Sequence, residues 1–241
     1  LKEQMPQVHL KFFTASEIHH LARISKLSIK DTFEALHEAG LDSMPGGGAE
    51  IFAPETRDKI CRGKISAEVW LDIHCQAHEL GIPSNATMLY GHIETTEDRV
   101  DHLIRLRETQ DKSGGFITFI PLAFHPENTR LGHLPSTSGI TDLRNIAVSR
   151  LMLDNFPHIR AYWIMVGLKM AQIGLNFGAD DIHGTVTEEK ITHMAGAKTP
   201  QVITADEIKR LICEAGRVPV ERDTLYNEII RKGNKWYRKA A

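Results

Sequence analysis

Residues 116–124 read FITFIPLAF, an almost continuous apolar run that follows a polar stretch and the pair Gly114 and Gly115. A strand with apolar residues on both faces is typical of a parallel sheet that helices cover. Parallel strands are joined by long crossovers, usually helices, so helical stretches should lie before and after the run. The run therefore predicts an α/β fold built from βαβ units.

The same unit recurs along the chain. Amphipathic stretches that end at glycine or proline alternate with short apolar runs and polar loops. The predicted helices span 28–40, 66–81, 96–112, 141–155, 168–178 and 204–216. The predicted strands span 9–14, 41–44, 83–89, 116–123, 159–166 and 180–183. About six parallel strands with outer helices predict a partial (βα) barrel in residues 1–216, because a closed TIM-type barrel has eight. Residues 217–241 then form a C-terminal extension.

Composition excludes several classes of partner. The 29 basic and 31 acidic residues give a net charge of −2 without a basic stripe, which argues against nucleic acid. No apolar stretch reaches the roughly 20 residues of a membrane span, and LKEQMPQVHL (1–10) has no signal-peptide core. Cys61, Cys75 and Cys213 are odd in number and far apart, which suits reduced thiols. We expect a cytoplasmic protein.

Polar residues gather directly after the predicted strands, where barrels and open α/β sheets bind their ligands. The stretch SMPGGGAE (43–50) lacks the Lys-Ser/Thr of a Walker motif and the GxGxxG spacing. It is either a plain βα turn or a wall whose glycines let the backbone approach a ligand while Glu50 accepts hydrogen bonds. Asp181 and His183 in ADDIHGTV (179–186) could bind ribose hydroxyls or do acid–base work, or the carboxylates could cap a helix.

Two histidine-containing stretches remain. His74 and His78 stand four residues apart, the spacing of two metal ligands on one helix face. The stretch is not HExxH, so we predict that both histidines lie on a solvated or boundary face of an outer helix. His125, Asn128 and Arg130 follow a strand directly and could hold a carboxylate, with Arg130 binding in a bidentate manner. The alternative is a loop held by its own turn chemistry.

Several stretches together resemble one family. They are GLDSMPGGGAEIF (40–52), SNATMLYGHIETTEDRVDHL (84–103), FIPLAFHPENTRL (119–131), GLNFGADDIHGTVTEEKITHMAGA (174–197) and AGRVPVERDTLYN (215–227). The chain resembles the radical S-adenosylmethionine (SAM) enzymes of the aminofutalosine synthase family, in the futalosine route to menaquinone. The related cyclic dehypoxanthinylfutalosine synthases share PGGGAE, and a barrel enzyme with acid–base chemistry at Glu50, Asp181 and His183 is a further alternative.

The resemblance implies a transferase with a [4Fe–4S] cluster, an external electron donor and SAM as a consumed co-substrate. The 5′-deoxyadenosyl radical would add to the enol ether of 3-[(1-carboxyvinyl)oxy]benzoate, an aryl dicarboxylate, and loss of carbon dioxide or bicarbonate would give aminofutalosine. The family holds its cluster in a CxxxCxxC loop, which this sequence lacks, so no metal ligand is assigned. We therefore expect the C-terminal part of such a barrel, inactive alone, with open edges near 9–14 and 180–183 that favour self-association.

Site residues follow from the resemblance and from strand-end positions. The predicted contacts to the ribose and methionine of SAM are Ser43, Gly46, Gly47, Gly48 and Glu50. The predicted neighbours of the nucleoside are Thr87, Tyr90 and His92. The predicted substrate-binding residues are Thr14, Glu17 and Asn128, and the predicted catalytic residues are His125, Arg130, Asp181 and His183.

Overall fold

Three parallel strands form the centre of the sheet in the computed structural model, which describes residues 1–186, 190–196, 199–200, 202–233 and 235–239. They are β1 (Ser84–Tyr90), β2 (Phe116–Ala123) and β3 (His158–Ile159), ordered β1-β2-β3. The β1–β2 register joins Asn85 to Thr118 and Tyr90 to Ala123, and β2 continues to β3 through Thr118 and His158. The long apolar run thus lies in the middle of a parallel sheet.

Single parallel bridges extend this sheet on both sides. Lys11 pairs with Ser43, Met44 pairs with Ser84, and Arg160 pairs with Asp181. The six positions follow one another in chain order, as the six predicted strands do, so the partial (βα) barrel is confirmed. Among the described residues, the first, second and sixth strand positions, at Lys11, at Ser43 and Met44, and at Asp181, have isolated bridge pairs instead of regular strands.

Helices separate the strand positions. Those before β2 are α1 (Ala15–Ser25), α2 (Ile29–Glu38), α3 (Pro54–Ile60), α4 (Ala67–Glu79) and α5 (Thr96–Ser113). The later ones are α6 (Gly139–Met152), α7 (Trp163–Val166), α8 (Leu168–Gly174), α9 (Lys190–Met194) and α10 (Ala205–Glu214). No helix among the described residues is long and apolar enough to cross a membrane.

The predicted strand 159–166 is wrong in its second half. Regular strand pairing ends at Ile159, the bridge at Arg160 follows, and α7 begins at Trp163. The apolar run does not distinguish a strand from a buried helix, since Trp163 and Ile164 are fully buried in either case. Periodicity also missed α1, which begins directly after a strand-like stretch, and α3, which has seven residues.

Serine and threonine N-caps set the start of the longer helices. Thr14, Ser28 and Thr95 each accept from the third helical N–H group, and an acidic side chain at that position returns a bond to the cap backbone. Such capping boxes satisfy two otherwise free N–H groups. Each cap follows a strand position or a turn, so the helices begin where the sequence leaves the sheet.

The face of α4 that carries His74 packs on the sheet, which corrects the predicted solvated or boundary face. His74 is fully buried against Trp70, with ring centroids 3.8 Å apart, and His78 is half-buried. His74 Nδ1 and His78 Nε2 both lie 2.7 Å from Ser84 Oγ. Burial lowers the pKa of His78 to about 4 and that of His74 well below its usual value. Both rings are therefore neutral partners of Ser84, the first residue of β1.

The segment after α10 returns to the sheet before forming an antiparallel hairpin, β4 (Ile229–Lys232) and β5 (Lys235–Arg238). On the way, the Tyr226 ring stacks on His158 at 3.7 Å between centroids and 7° between planes. The Arg222 guanidinium lies over the Tyr226 ring, 4.0 Å from its centroid. This segment therefore packs on the residues that begin β3.

Candidate functional site

One face of the sheet carries polar side chains. Paired residues in neighbouring strands project to the same face, which groups Asn85, Thr118 and His158. The opposite face of β1 is covered by helices, because Tyr90 is fully buried and its hydroxyl donates to Asp142 of α6 at 2.9 Å. We call the face of Lys11, Asn85, Thr118, His158, Arg160 and Asp181 the interior face; it corresponds to the inside of the partial barrel.

Asp181 gathers four donors on this face. Its Oδ2 atom accepts from Arg160 Nε at 2.7 Å, from Arg222 Nη2 at 2.7 Å and from the Tyr226 hydroxyl at 2.5 Å. Its Oδ1 atom accepts from the backbone N–H of His183 at 2.8 Å. Burial alone would raise the pKa of Asp181, but Arg160 and Arg222 outweigh burial and hold it well below its usual value. An ionised carboxylate with these partners is a poor proton acceptor, so the geometry supports an anchoring role, and the catalytic role remains a prediction.

His183 lies next to this anchor in a left-handed backbone conformation, with φ 73°. Its ring meets Tyr162 edge-on at 4.9 Å. Burial, and then the charge of Arg160, lower the pKa of His183 to about 3. Its Nδ1 atom is buried and has no hydrogen-bond partner among the described residues. A neutral ring with a free nitrogen beside a charged cluster is compatible with the predicted site, but the predicted role stays a prediction.

Lys11 is a half-buried cation of the interior face that the sequence patterns did not single out. Its Nζ atom donates to Asn85 Oδ1 at 3.1 Å from the first strand position. Burial, and then the charges of Arg160 and Arg222, lower the pKa of Lys11 to about 8. The available signal was a lysine in the middle of the strand-like stretch VHLKFF (8–13), where a surface cation is out of place.

The glycine triplet packs against β1. Gly46 accepts from Thr87 Oγ1 at 2.6 Å and Gly47 accepts from Trp70 Nε1 at 3.2 Å. A Cβ atom at Gly46 would lie 2.6 Å from the Asn85 carbonyl oxygen, so only glycine allows this approach. Gly48 has φ +88°. The triplet's carbonyl groups are therefore bonded by the protein's own Thr87 and Trp70 side chains, while its predicted contact with SAM is a separate proposal.

Arg57 on α3 holds the turn after the triplet and was also missed. It is buried, and it donates to the carbonyl oxygens of Gly48, at 2.9 Å, and of Ala49 and Ile51. Its side chain further donates to the Ile65 carbonyl oxygen. Glu50, at φ 47°, forms an ion pair with Lys64. No local sequence pattern predicts such an arginine, because its acceptors are backbone carbonyl oxygens that the fold brings together.

Several other predicted residues already have partners within the protein. Thr14 and Glu17 form the capping box of α1, where Thr14 Oγ1 lies 2.8 Å from Glu17 Oε2. Ser43 is fully buried and bonds His9 Nε2 at 2.7 Å. His92 Nδ1 lies 3.1 Å from a Glu94 oxygen, and burial lowers the pKa of His92 although Glu94 opposes the shift. Their predicted ligand contacts would compete with, or add to, these bonds.

The loop after β2 does not bring its three predicted residues to one partner. His125 Nε2 lies 3.0 Å from the Met165 carbonyl oxygen, and Asn128 Nδ2 donates to the Met194 carbonyl oxygen at 2.9 Å. Arg130 is exposed. A joint carboxylate clamp therefore requires the loop to rearrange around a ligand.

A cavity of about 1010 Å³ adjoins the sixth strand position. It is lined by Asp181 and His183, by Arg222 and Tyr226, and by Ile212 from the end of α10. Two of the predicted catalytic residues thus border an opening large enough for an organic ligand.

The described side chains do not fit an iron–sulfur cluster. Cys61 and Cys75 are half-buried, Cys213 is exposed, and all three are free thiols. No group of three or more His, Cys, Asp or Glu side chains in the described ranges is arranged to hold a metal ion. A [4Fe–4S] cluster needs thiolate ligands close together, which this part of the chain does not offer.

The fold and the interior face define the class: a partial (βα) barrel with a polar site inside the sheet. The same fold occurs in the crystal structure of methylornithine synthase (PylB), with a TM-score of 0.57, 18% identity, and coverage of 81% of this chain and 57% of that chain. A family model described as "CofH/MqnC C-terminal region" matches residues 113–233. The chain belongs to this family.

Curated relatives agree with the predicted resemblance. Aminodeoxyfutalosine synthase of Thermus thermophilus is 57% identical over 233 residues, which is 95% of this chain and 63% of the relative. The protein of the same name from Streptomyces coelicolor is 46% identical, over 96% and 62%. A 5-amino-6-(D-ribitylamino)uracil–L-tyrosine 4-hydroxyphenyl transferase of Methanosarcina mazei is 40% identical, over 100% and 66%. The chain spans less than two thirds of the length of these relatives.

Proposed function

We propose that a protein of the relatives' full length carrying this chain is a radical SAM transferase of menaquinone biosynthesis. It would form aminodeoxyfutalosine from SAM and 3-[(1-carboxyvinyl)oxy]benzoate. The observation that carries the proposal is the 57% identity, over 95% of the chain, to an aminodeoxyfutalosine synthase. Three hydroxyphenyl transferases of this family share a lower identity with the chain, 40% to 43%.

In this proposal SAM is a co-substrate that donates its 5′-deoxyadenosyl group, and an external donor supplies the electron. The [4Fe–4S] cluster that delivers this electron would take its ligands from residues outside this chain, because the free thiols here do not fit it. The contribution of this chain is to hold the acceptor alkene beside the adenosyl group and to exclude water from a reactive site.

The predicted site residues remain part of this proposal, with Asp181 in a positioning role instead of the predicted catalytic one. The turn at 43–50 and the end of β1 would flank SAM, because both lie at the carboxyl end of a strand position. His183 would border the substrate, since it lines the cavity and leaves a buried nitrogen free. Asp181 would act through Arg160 and Arg222, which it holds in place.

The test is product formation by the full-length protein. It would be purified without oxygen, reconstituted with iron and sulfide, and incubated with dithionite, SAM and the enol ether, with products identified by mass spectrometry. A matched reaction would supply L-tyrosine and 5-amino-6-(D-ribitylamino)uracil, because relatives with that transferase name align over as much as the whole chain. Aminodeoxyfutalosine supports the proposal, whereas the hydroxyphenyl product alone, or turnover without iron, refutes it.

A further inference from the structure

The interior face carries more positive than negative charge. Lys11, Arg160 and Arg222 lie close enough together that both guanidinium groups act on the Lys11 ammonium. Asp181 is the carboxylate that binds Arg160 and Arg222, each at 2.7 Å. Its Oδ2 atom also accepts from the Tyr226 hydroxyl, so the hydrogen-bond acceptor capacity of this oxygen is taken up within the cluster. Counting the described residues alone, one carboxylate therefore faces three cations in this cluster.

In the part of the chain that the structure describes, Lys11 is the cation of this cluster without a counter-charge. Among the described residues, its ammonium has one hydrogen-bond acceptor, the amide oxygen of Asn85, and no carboxylate lies within ion-pair distance. The Asn85 amide nitrogen has no acceptor in the same part of the chain, so its N–H groups remain available beside the ammonium. The side chain of Asn85 is itself buried.

A half-buried cation beside two guanidinium groups is costly unless an anion joins it. Desolvation penalises the charged ammonium, and like charges penalise it further. Relief can come from loss of the proton or from a bound anion. The ammonium and the Asn85 amide together offer a point charge and donors, the combination that binds a carboxylate.

We propose that Lys11 and Asn85, with Arg160 and Arg222 behind them, form the subsite for a carboxylate of the aryl substrate. The inference rests on the proposed function, in which the substrate carries two carboxylates. Asp181 and Tyr226 are positioning residues in this arrangement. They hold the two arginines in place and act on the substrate carboxylate only through them. The interior face thus selects an acidic substrate by its unmatched positive charge.

Benzoate is the probe for this subsite, with benzamide as its neutral counterpart. Isothermal titration at low salt should show benzoate binding by the chain and weaker or no binding of benzamide. Lys11→Met removes the charge and keeps most of the stem, so benzoate affinity should fall at least tenfold. Lys30→Met on α2 is the matched control, because Lys30 is exposed and should leave benzoate affinity unchanged.

Proton uptake gives a second readout. An anion at the ammonium should return the Lys11 pKa from about 8 toward its usual value, so benzoate binding at pH 8 should take up protons. The other groups that act on Lys11 or respond to it are His9, His183, Arg160 and Arg222. The two histidines are neutral at pH 8 and the two arginines stay charged, so the uptake should vanish in Lys11→Met. Titrations in buffers of different ionisation enthalpy measure it.

Three results with benzoate or with the ligand-free protein would overturn the subsite, and a fourth comes from turnover. The first is equal benzoate affinity in wild type and Lys11→Met. The second is proton uptake that persists in Lys11→Met. The third is a normal Lys11 pKa, measured by NMR, in the ligand-free full-length protein, which would mean that another segment supplies the anion.

The subsite and the proposed function can fail separately. If benzoate affinity depends on Lys11 but the full-length protein forms no aminodeoxyfutalosine, the subsite stands and the proposed function fails. If product forms and Lys11→Met leaves KM unchanged, the subsite alone fails.

Discussion

Replacing Asp181 by asparagine removes the buried negative charge that Arg160 and Arg222 share. Asparagine keeps the shape and can still accept hydrogen bonds, but the two guanidinium groups then lie near Lys11 without a counter-charge. Removing one partner of a buried ion pair typically costs about 3 to 5 kcal/mol, so Asp181→Asn should lower the free energy of unfolding by roughly that amount.

Urea unfolding followed by circular dichroism measures this change at pH 7. Asp180→Asn is the matched control: Asp180 bonds Arg150 and His158, but its side chain is 40% exposed. Water screens such a pair, and about 1 kcal/mol or less is expected. Equal losses for the two neighbours would refute the view of Asp181 as the buried anchor.

The pH dependence of the same variant has a definite sign. The folded-state pKa of Asp181 lies below its ordinary value of 3.8, so its stabilisation is fully present above about pH 4. It is lost as the pH falls through the folded-state pKa. The stability difference between wild type and Asp181→Asn should therefore be constant from pH 7 to about pH 5 and shrink below pH 4. A difference that disappears near pH 6 would contradict this assignment.

Three further outcomes are expected. Gly46→Ala should lower the free energy of unfolding by about 1 to 3 kcal/mol in thermal unfolding, because the new Cβ would lie 2.6 Å from the Asn85 carbonyl oxygen. Gly184→Ala is the control and should leave stability nearly unchanged, because the space around Gly184 is open. Below pH 6.5, stability should fall as the pH is lowered, because His102 has a folded-state pKa of about 3; His102→Gln should reduce this slope by about 1.4 kcal/mol per pH unit. Sedimentation should show self-association through the open strand edges, and a monomer at all concentrations would contradict that expectation.

Local patterns were sufficient for most of the fold. Alternation of amphipathic and apolar stretches predicted α4, α5 and α6 and all six strand positions, because each element must bury its apolar side against the next. They failed at α7, where a buried helix and a buried strand have the same composition, and at His74, whose burial depends on what α4 packs against. Composition along the chain does not contain that partner.

The candidate site divides in the same way. Residues at strand ends, such as Asp181 and His183, could be selected from the sequence because parallel strands end at a common edge. Lys11 could not, since Asn85 and Arg160 lie far along the chain. Arg57 could not either, because its acceptors, although near in sequence, are backbone carbonyls that converge only in the folded turn. Long-range contacts decide which cations are paired.

The amino-acid sequence by itself determined the α/β class, the chain order of the strands and the family resemblance, because periodicity and long motifs are local properties. Tertiary structure alone decided that Asp181 is an anchor bound by residues 160, 222 and 226, and that Lys11 lacks an acidic partner among the described residues. The physical reason is that charge pairing and desolvation depend on distance and burial in space. Residues 160 and 222 act on the same ammonium only after the segment following α10 has folded back onto the sheet.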